Sequence, residues 1–133
     1  MIDPKRYAEF VDAVTSEESK DGIAFVNRLR NLEGDNCEIH RLLTAAVGIS
    51  AEGGEFMEIV KKIIFQGKPY NEDNIFHMKR ELGDIFWYLA QACMALDTDF
   101  DELMEMNIDK LKSRYPGGKF DAHYSENRKE GDL

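Results

Sequence analysis

The sequence predicts an all-α fold: a helical bundle with two long antiparallel central helices, completed by oligomerisation. Three observations lead there. Proline falls only at positions 4, 69 and 116, and glycine gathers near 53–54, 67 and 117–118, which leaves long stretches free of helix breakers. Apolar residues recur at helical spacing along those stretches, and no sustained alternation of the kind a strand needs is found. With 133 residues, 43% of them apolar, the chain holds material for one core. Residues 1–133 are therefore read as a single domain, with an extended arm from about 117.

The elements follow in order. Asp3-Pro4 is a cap followed by proline at the first helical position, and Tyr7, Phe10, Val11 and Val14 then repeat at helical spacing, so a first helix runs to about Val14. Beyond it, Ile23, Phe25, Val26, Leu29 and Leu32 suggest a helical piece, whereas Ser16 to Gly22 reads as a loop. From about Asn36 to Phe65, Ile39, Leu42, Leu43, Ala46, Val47, Phe56, Ile59, Val60 and Ile63 keep the helical period, and Gly67 stands where a helix stops. At ~1.5 Å per residue this second helix is roughly 45 Å long. A third helix spans about Glu72 to Leu96, and the short Gly67–Asn71 connection with Pro69 makes the two long helices antiparallel neighbours. A fourth starts after the acidic cap region Asp97-Thr98-Asp99 and ends at Tyr115-Pro116. So few helices, two of them long, leave apolar faces uncovered, and a homodimer or homotetramer is expected.

Composition narrows the function. Seventeen basic residues against 26 acidic ones give a formal net charge of −9, which disfavours binding DNA or RNA phosphates without a bridging cation. The longest mostly apolar run, Ile85 to Leu96, is too short for a bilayer core of ~30 Å, so no membrane partner is expected. Met1-Ile2-Asp3-Pro4-Lys5 lacks the layout of a secretory signal, and Cys37 and Cys93 are too few for a disulfide scaffold. The reading is a reduced, cytoplasmic protein.

The chemistry concentrates in the two long helices. Glu52 and Glu55 lie three apart on the second helix, and Glu81 and Asp84 three apart on the third; at ~100° per residue each pair shares a face. Each pair is flanked by apolar residues, so the acids sit at or inside the packing stripe. Two carboxylates ~4 Å apart repel by about 4 kcal/mol at an effective dielectric of ~20. Four together need a positive partner, and a hard divalent cation such as Mg²⁺, with Mn²⁺ as a substitute, suits oxygen ligands. Gly53, Gly54 and Gly83 each cost ~1 kcal/mol in a helix relative to alanine. Either a close approach of backbone or ligand, or a break in the second helix, accounts for them.

The ordered pattern Glu52-x-x-Glu55, 25 intervening residues, then Glu81-x-x-Asp84 resembles the metal-binding signature of the MazG-like all-α nucleoside triphosphate pyrophosphohydrolases. The likeness continues through Lys61-Lys62 and Tyr88 to Asn107-Ile108-Asp109-Lys110-Leu111-Lys112-Ser113-Arg114-Tyr115-Pro116, and covers roughly residues 40 to 120. Ala51 and Gly53 depart from it, where many members carry another acid or a larger residue, which leaves the number of metals open. The resemblance implies a hydrolase of nucleotide metabolism that cuts a nucleoside triphosphate, chiefly a deoxynucleoside triphosphate, between its α- and β-phosphates, releasing a monophosphate and pyrophosphate. It implies Mg²⁺ held by Glu52, Glu55, Glu81 and Asp84. A carboxylate not fully committed to metal can take the proton of an attacking water, and Glu55 and Glu58 are the candidates.

Supporting residues are weighed against plainer roles. Lys62 lies seven after Glu55, ~20° off the same face, within reach of a phosphate, whereas Lys61 points elsewhere into solvent. Asn107, Lys110 and Arg114 form one polar stripe on the fourth helix, suited to phosphate or sugar where the resemblance applies and otherwise a solvated face. Phe56, Phe86 and Trp87 are read chiefly as core, with Tyr88, four after Asp84, the aromatic best placed near the acids. Cys37-Glu38-Ile39-His40 lacks the further nearby ligands a structural zinc needs. Asp97-x-Asp99-x-Asp101 lacks the glycine and glutamate of a calcium loop, and helix capping explains it. The Glu-x-x-His pairs of a di-iron bundle and the P-loop motif are both missing. The rival reading is a non-enzymatic helical oligomer, a regulatory or interaction module whose acids are only surface.

Overall fold

The computed structural model describes residues 1–127; residues 128–133, the tip of the expected arm, lie outside the described residues. The described residues are helical with no strand among them. The chain divides into two compact units, Met1–His40 and Arg41–Leu133.

In the first unit, α1 (Pro4–Ala13) starts where Asp3 caps it, the carboxylate accepting from the Lys5 N–H at 3.0 Å. The segment read as a loop contains one short helix, α2 (Glu17–Lys20). Lys20 fastens it by donating to the Asp12 carbonyl at 2.8 Å and by ion pairs to Asp12 and Glu17 at 3.7 and 3.8 Å. The helical piece suggested by Ile23 to Leu32 is α3 (Gly22–Gly34), with the Asp21 side chain accepting from the Ala24 N–H.

The second unit carries the long pair. Helix α4 (Ile39–Phe65) is continuous, so Gly53-Gly54 does not break it, and a methyl group added at Gly53, Gly54 or Gly83 would meet nothing within 4 Å. The close approach falls instead at Gly48, where a Cβ would lie 2.0 Å from Tyr88 Cδ1. After α4 the chain turns through Gly67 (φ +69°), a left-handed conformation that favours glycine. Asn71 then caps α5 (Glu72–Leu96) by accepting from the Asn74 N–H at 3.0 Å, and Asn74 donates back to the Pro69 carbonyl at 2.6 Å.

Contacts between α4 and α5 run in opposite order along the two helices. Arg41 donates to Gln91 Oε1 at 2.8 Å, Gly48 meets Tyr88, and Glu52 meets Glu81. The helices are therefore antiparallel, as the short connection predicts. Positions 41, 45, 48, 52, 55, 59 and 62 of α4 alternate steps of four and three, and so do 77, 81, 84, 88 and 91 of α5. This is the spacing of a helix–helix seam. Ala45, Ile59 and Cys93 are the buried apolar residues of the described chain, and Glu81, at 7% exposure, is buried with them.

Asp97 (φ +53°) closes α5, and Asp99 caps α6 (Phe100–Arg114) by accepting from the Glu102 N–H at 2.8 Å, while Thr98 hydrogen-bonds to the Glu102 carboxylate. The three acids near 97–101 thus serve helix ends. Residues 117–127, read as part of an extended arm, include the short helix α7 (Ala122–Glu126), with the Asp121 carboxylate accepting from His123 N–H. Phe86 and Trp87, read as core, are more than half exposed, as are Val47, Met94 and Met104. Each long helix thus carries exposed apolar residues that the other described residues leave uncovered.

Candidate metal centre

The seam places acids where an ordinary helical hairpin places leucine. Glu52 and Glu55 come from α4 and Glu81 from α5, and each offers a carboxylate oxygen within 4.8 Å of the others. The Oε2 atoms of Glu52 and Glu81 are buried without a hydrogen-bond partner among the described residues. Buried carboxylate oxygens are ordinarily paired, and leaving one unpaired is destabilising. The hydrogen bond between Glu52 and Glu81, then burial and the charges of Glu55, Glu81 and Asp84, push Glu52 up to about 7. Glu81 is held below the usual carboxylate range by that same hydrogen bond, helped by Glu55 and by His77, whose Nε2 lies 3.3 Å from Glu81 Oε1.

Asp84, the fourth expected ligand, stands beside this trio. Its charge acts on Glu52, and with Glu52, Trp87 and Tyr88 it lines a cavity of about 380 Å³. The Tyr88 ring that covers Gly48 reaches the same cavity and meets Trp87 edge to face at 5.0 Å between centroids.

On the other side of the acids, a cavity of about 200 Å³ is lined by Glu55, Glu58, Ile59, Lys62, Lys68, His77 and Glu81. Lys62 therefore lies beside the cluster, as its spacing from Glu55 predicts. Glu58 pairs with Lys61 at 3.1 Å and Lys62 at 3.5 Å, and these partners, Lys61 foremost, hold its carboxyl below the usual range. Lys61 is thus tied to Glu58 rather than freely solvated. Lys68 and His77 were not legible as site residues. His77 precedes Glu81 by one helical turn, a spacing that could have marked it; Lys68 arrives through the Gly67 turn, outside any helical period.

Asn107, Lys110 and Arg114 all lie on α6. Asn107 lines an apolar cavity of about 600 Å³ with Phe86, Leu89, Phe100, Leu103, Met104 and Ile108. Phe86 lies two residues after Asp84, ~200° around α5, so that cavity opens on a different face from the acids. Within one chain, the structure brings Lys62 and Tyr88 to the acid cluster and turns Asn107 to this other face.

Orphaned carboxylate oxygens and an all-oxygen donor set fit a hard divalent ion such as Mg²⁺ or Mn²⁺. Among the described residues the clustered donors are carboxylates, with the imidazole of His77 beside Glu81, a poor set for softer metals that prefer thiolate or several imidazoles.

No described helix is long and apolar enough to cross a membrane. Among proteins of known sequence, the Gene 37 protein of Mycobacterium phage L5 is 34% identical over 86 residues, covering 64% of this chain and 75% of that protein. No solved structure matches the chain. The family model described as MazG nucleotide pyrophosphohydrolase domain matches residues 41–118, more than half of the chain and the stretch that holds α4, α5, α6 and the acid cluster. The chain belongs to the MazG nucleotide pyrophosphohydrolase domain family.

Proposed function

We propose that the protein hydrolyses nucleoside triphosphates, deoxynucleoside triphosphates foremost, between the α- and β-phosphates, giving a nucleoside monophosphate and pyrophosphate. The observation that carries this reading is the pair of orphaned carboxylate oxygens of Glu52 and Glu81, buried in residues that cluster with Glu55. A chain at −9 repels a triphosphate unless cations bridge the two. Glu52, Glu55 and Glu81, with Asp84 alongside, would hold Mg²⁺, which when bound polarises a phosphoryl oxygen and lowers the pKa of an attacking water.

The remaining work belongs to the chain. Glu55 is exposed at the rim of the cluster and is the better placed of the two candidate bases. Glu58 is the poorer one, because Lys61 and Lys62 hold its carboxylate in the charged form and weaken its hold on a proton. Lys62 faces the phosphate side, and Tyr88 borders the cavity on the other. Asn107, Lys110 and Arg114 enter this reading through the family block alone.

The working form is a homo-oligomer, a dimer or tetramer. The support is the apolar surface that the described residues leave open: burying the exposed 60% of a side chain such as Phe86 stabilises by up to ~2 kcal/mol. Two free thiols, Cys37 and Cys93, suit a reducing cytoplasm.

The test is pyrophosphate release from a panel of ribo- and deoxyribonucleoside triphosphates with Mg²⁺ and with Mn²⁺. Release that EDTA and Glu55→Gln both abolish is the expected result. A wild-type protein silent on the whole panel would instead favour a non-enzymatic helical oligomer.

A further inference from the structure

The two ends of the acid cluster differ in chemistry, and the difference gives the site a direction. At one end lies the aromatic pair Trp87 and Tyr88, beside Glu52 and Asp84. At the other lie Lys62, Lys68 and His77, beside Glu55 and Glu81. A nucleoside triphosphate has the same asymmetry, with a flat ring system at one end and a multiply charged anion at the other.

Lys68 is placed there by a specific device. Gly67 takes a left-handed φ of +69°, and the Lys68 N–H returns to the Lys62 carbonyl at 3.1 Å, folding the chain back over the last turn of α4. This sets Lys68 in the cavity that Lys62 also lines. The two lysines are not equivalent. Lys62 is shared with Glu58 at 3.5 Å, whereas Lys68 has no ion-pair partner among the described residues. Lys68 is half-buried and shares the cavity with Glu55, Glu58 and Glu81 without pairing directly with any of them, so its ammonium is suited to an anion that arrives with the substrate. At about 200 Å³ the cavity is smaller than the ~300–1,000 Å³ usual for whole small-molecule ligands, so it suits part of a nucleotide.

The geometry points to this cavity as the seat of the departing β,γ-diphosphate, with Lys68 as its anchor and the nucleoside directed toward Trp87 and Tyr88. The assignment rests on the pyrophosphohydrolase reading and adds to it a residue and a polarity. Hydrolysis then leaves pyrophosphate against Lys68 and Lys62, and the monophosphate at the aromatic end. Each product should be sensed by a different set of side chains.

Product inhibition separates the two ends. Wild type, Lys68→Ala, Lys68→Arg and, as a charge control, Lys79→Ala are assayed with magnesium pyrophosphate and with a nucleoside monophosphate as inhibitors. Calorimetry with magnesium pyrophosphate gives binding without turnover. Loss of one charged contact predicts that Lys68→Ala weakens pyrophosphate about tenfold or more, while the monophosphate constant changes less than about twofold. Lys68→Arg should retain most of the pyrophosphate affinity, and Lys79→Ala all of it. Unchanged pyrophosphate binding in a folded Lys68→Ala protein overturns the assignment, and selective loss of the monophosphate reverses the polarity and overturns it too. A wild-type protein without turnover refutes the functional reading, yet calorimetry still decides the cavity: pyrophosphate binding that needs Lys68 upholds it, and no binding sinks it.

Discussion

Gly48→Ala tests the seam most directly, because the two effects of the change have opposite signs. In a helix interior, alanine is better than glycine by about 1 kcal/mol. Against that, the new methyl carbon would sit 2.0 Å from Tyr88 Cδ1, 2.2 Å from Cε1 and 2.3 Å from Cγ. Carbon atoms pack at about 3.5–4.0 Å, so the ring or the helix must move by roughly 1.5 Å. Overpacking of this kind costs about 1–3 kcal/mol, which leaves a net loss of up to about 2 kcal/mol. For a chain of this size that lowers Tm by up to roughly 8 °C. Thermal unfolding followed by circular dichroism reads the shift, and a raised KM reports the displaced Tyr88 ring beside Glu52 and Asp84. The double variant Gly48→Ala/Tyr88→Ala supplies the internal control: with the ring gone, the alanine should stabilise relative to Tyr88→Ala alone. A Gly48→Ala protein that melts higher than wild type would refute the close approach of α4 and α5 at this point.

Further expectations concern the acids and the open apolar faces. Glu55→Gln should lower pyrophosphate release by at least about a hundredfold, as removal of a general base does, while Glu58→Gln should stay within about tenfold, and equal losses in steady-state assays would contradict the assignment of the base. In metal-free protein, Glu52 binds its proton more tightly folded than unfolded. Its contribution to stability is complete below the ordinary value of 4.5 and is lost as pH rises through about 7. Glu81, shifted the other way, loses its contribution only as pH falls through its lowered value. Urea midpoints in EDTA should therefore fall between about pH 4.5 and 7, and Mg²⁺ should flatten that fall; a midpoint that rises across the window would be the wrong sign. If the proposed oligomer forms through the exposed face of α5, Phe86→Glu should shift its sedimentation toward the single chain, and unchanged sedimentation would contradict an interface at Phe86.

Much of this was legible because the long helices obey local rules. Their apolar residues are periodic, and Asn71 and Asp99 cap α5 and α6 through side chains whose chemistry favours that position. Helix α2 was not legible, since Glu17-Glu18-Ser19-Lys20 has no apolar residue to give a period and is held by Lys20 reaching back to Asp12. The acid-x-x-acid pairs marked the site, but spacing along one helix does not say what a partner helix presents. Gly48 looks like any small residue until Tyr88 is set against it, while a Cβ at the more conspicuous Gly53, Gly54 or Gly83 would meet nothing within 4 Å among the described residues. Lys68 depends on a backbone turn, and turns act on residues that periodicity never groups together.

The seam also explains why a functional cluster of this kind is set against stability. Along α4, Ala45, Gly48, Glu52, Glu55 and Ile59 occupy successive seam positions, so two acids stand where apolar packing would close the helices together, and Glu81 meets them buried. Replacing a buried charged pair by apolar residues of similar volume is often stabilising, because desolvation outweighs attraction. Here the groups are like-charged and two of their oxygens are orphaned, so the gain should be larger. Glu52→Leu/Glu81→Leu should therefore melt above wild type in EDTA and release no pyrophosphate. Wild type should gain Tm as Mg²⁺ is added, since a ligand bound only by the folded state stabilises it, while the double variant should be indifferent to the ion. If the leucine variant melts lower than wild type in EDTA, the acids are holding the helices together rather than apart, and the seam is not a site kept open for a cation.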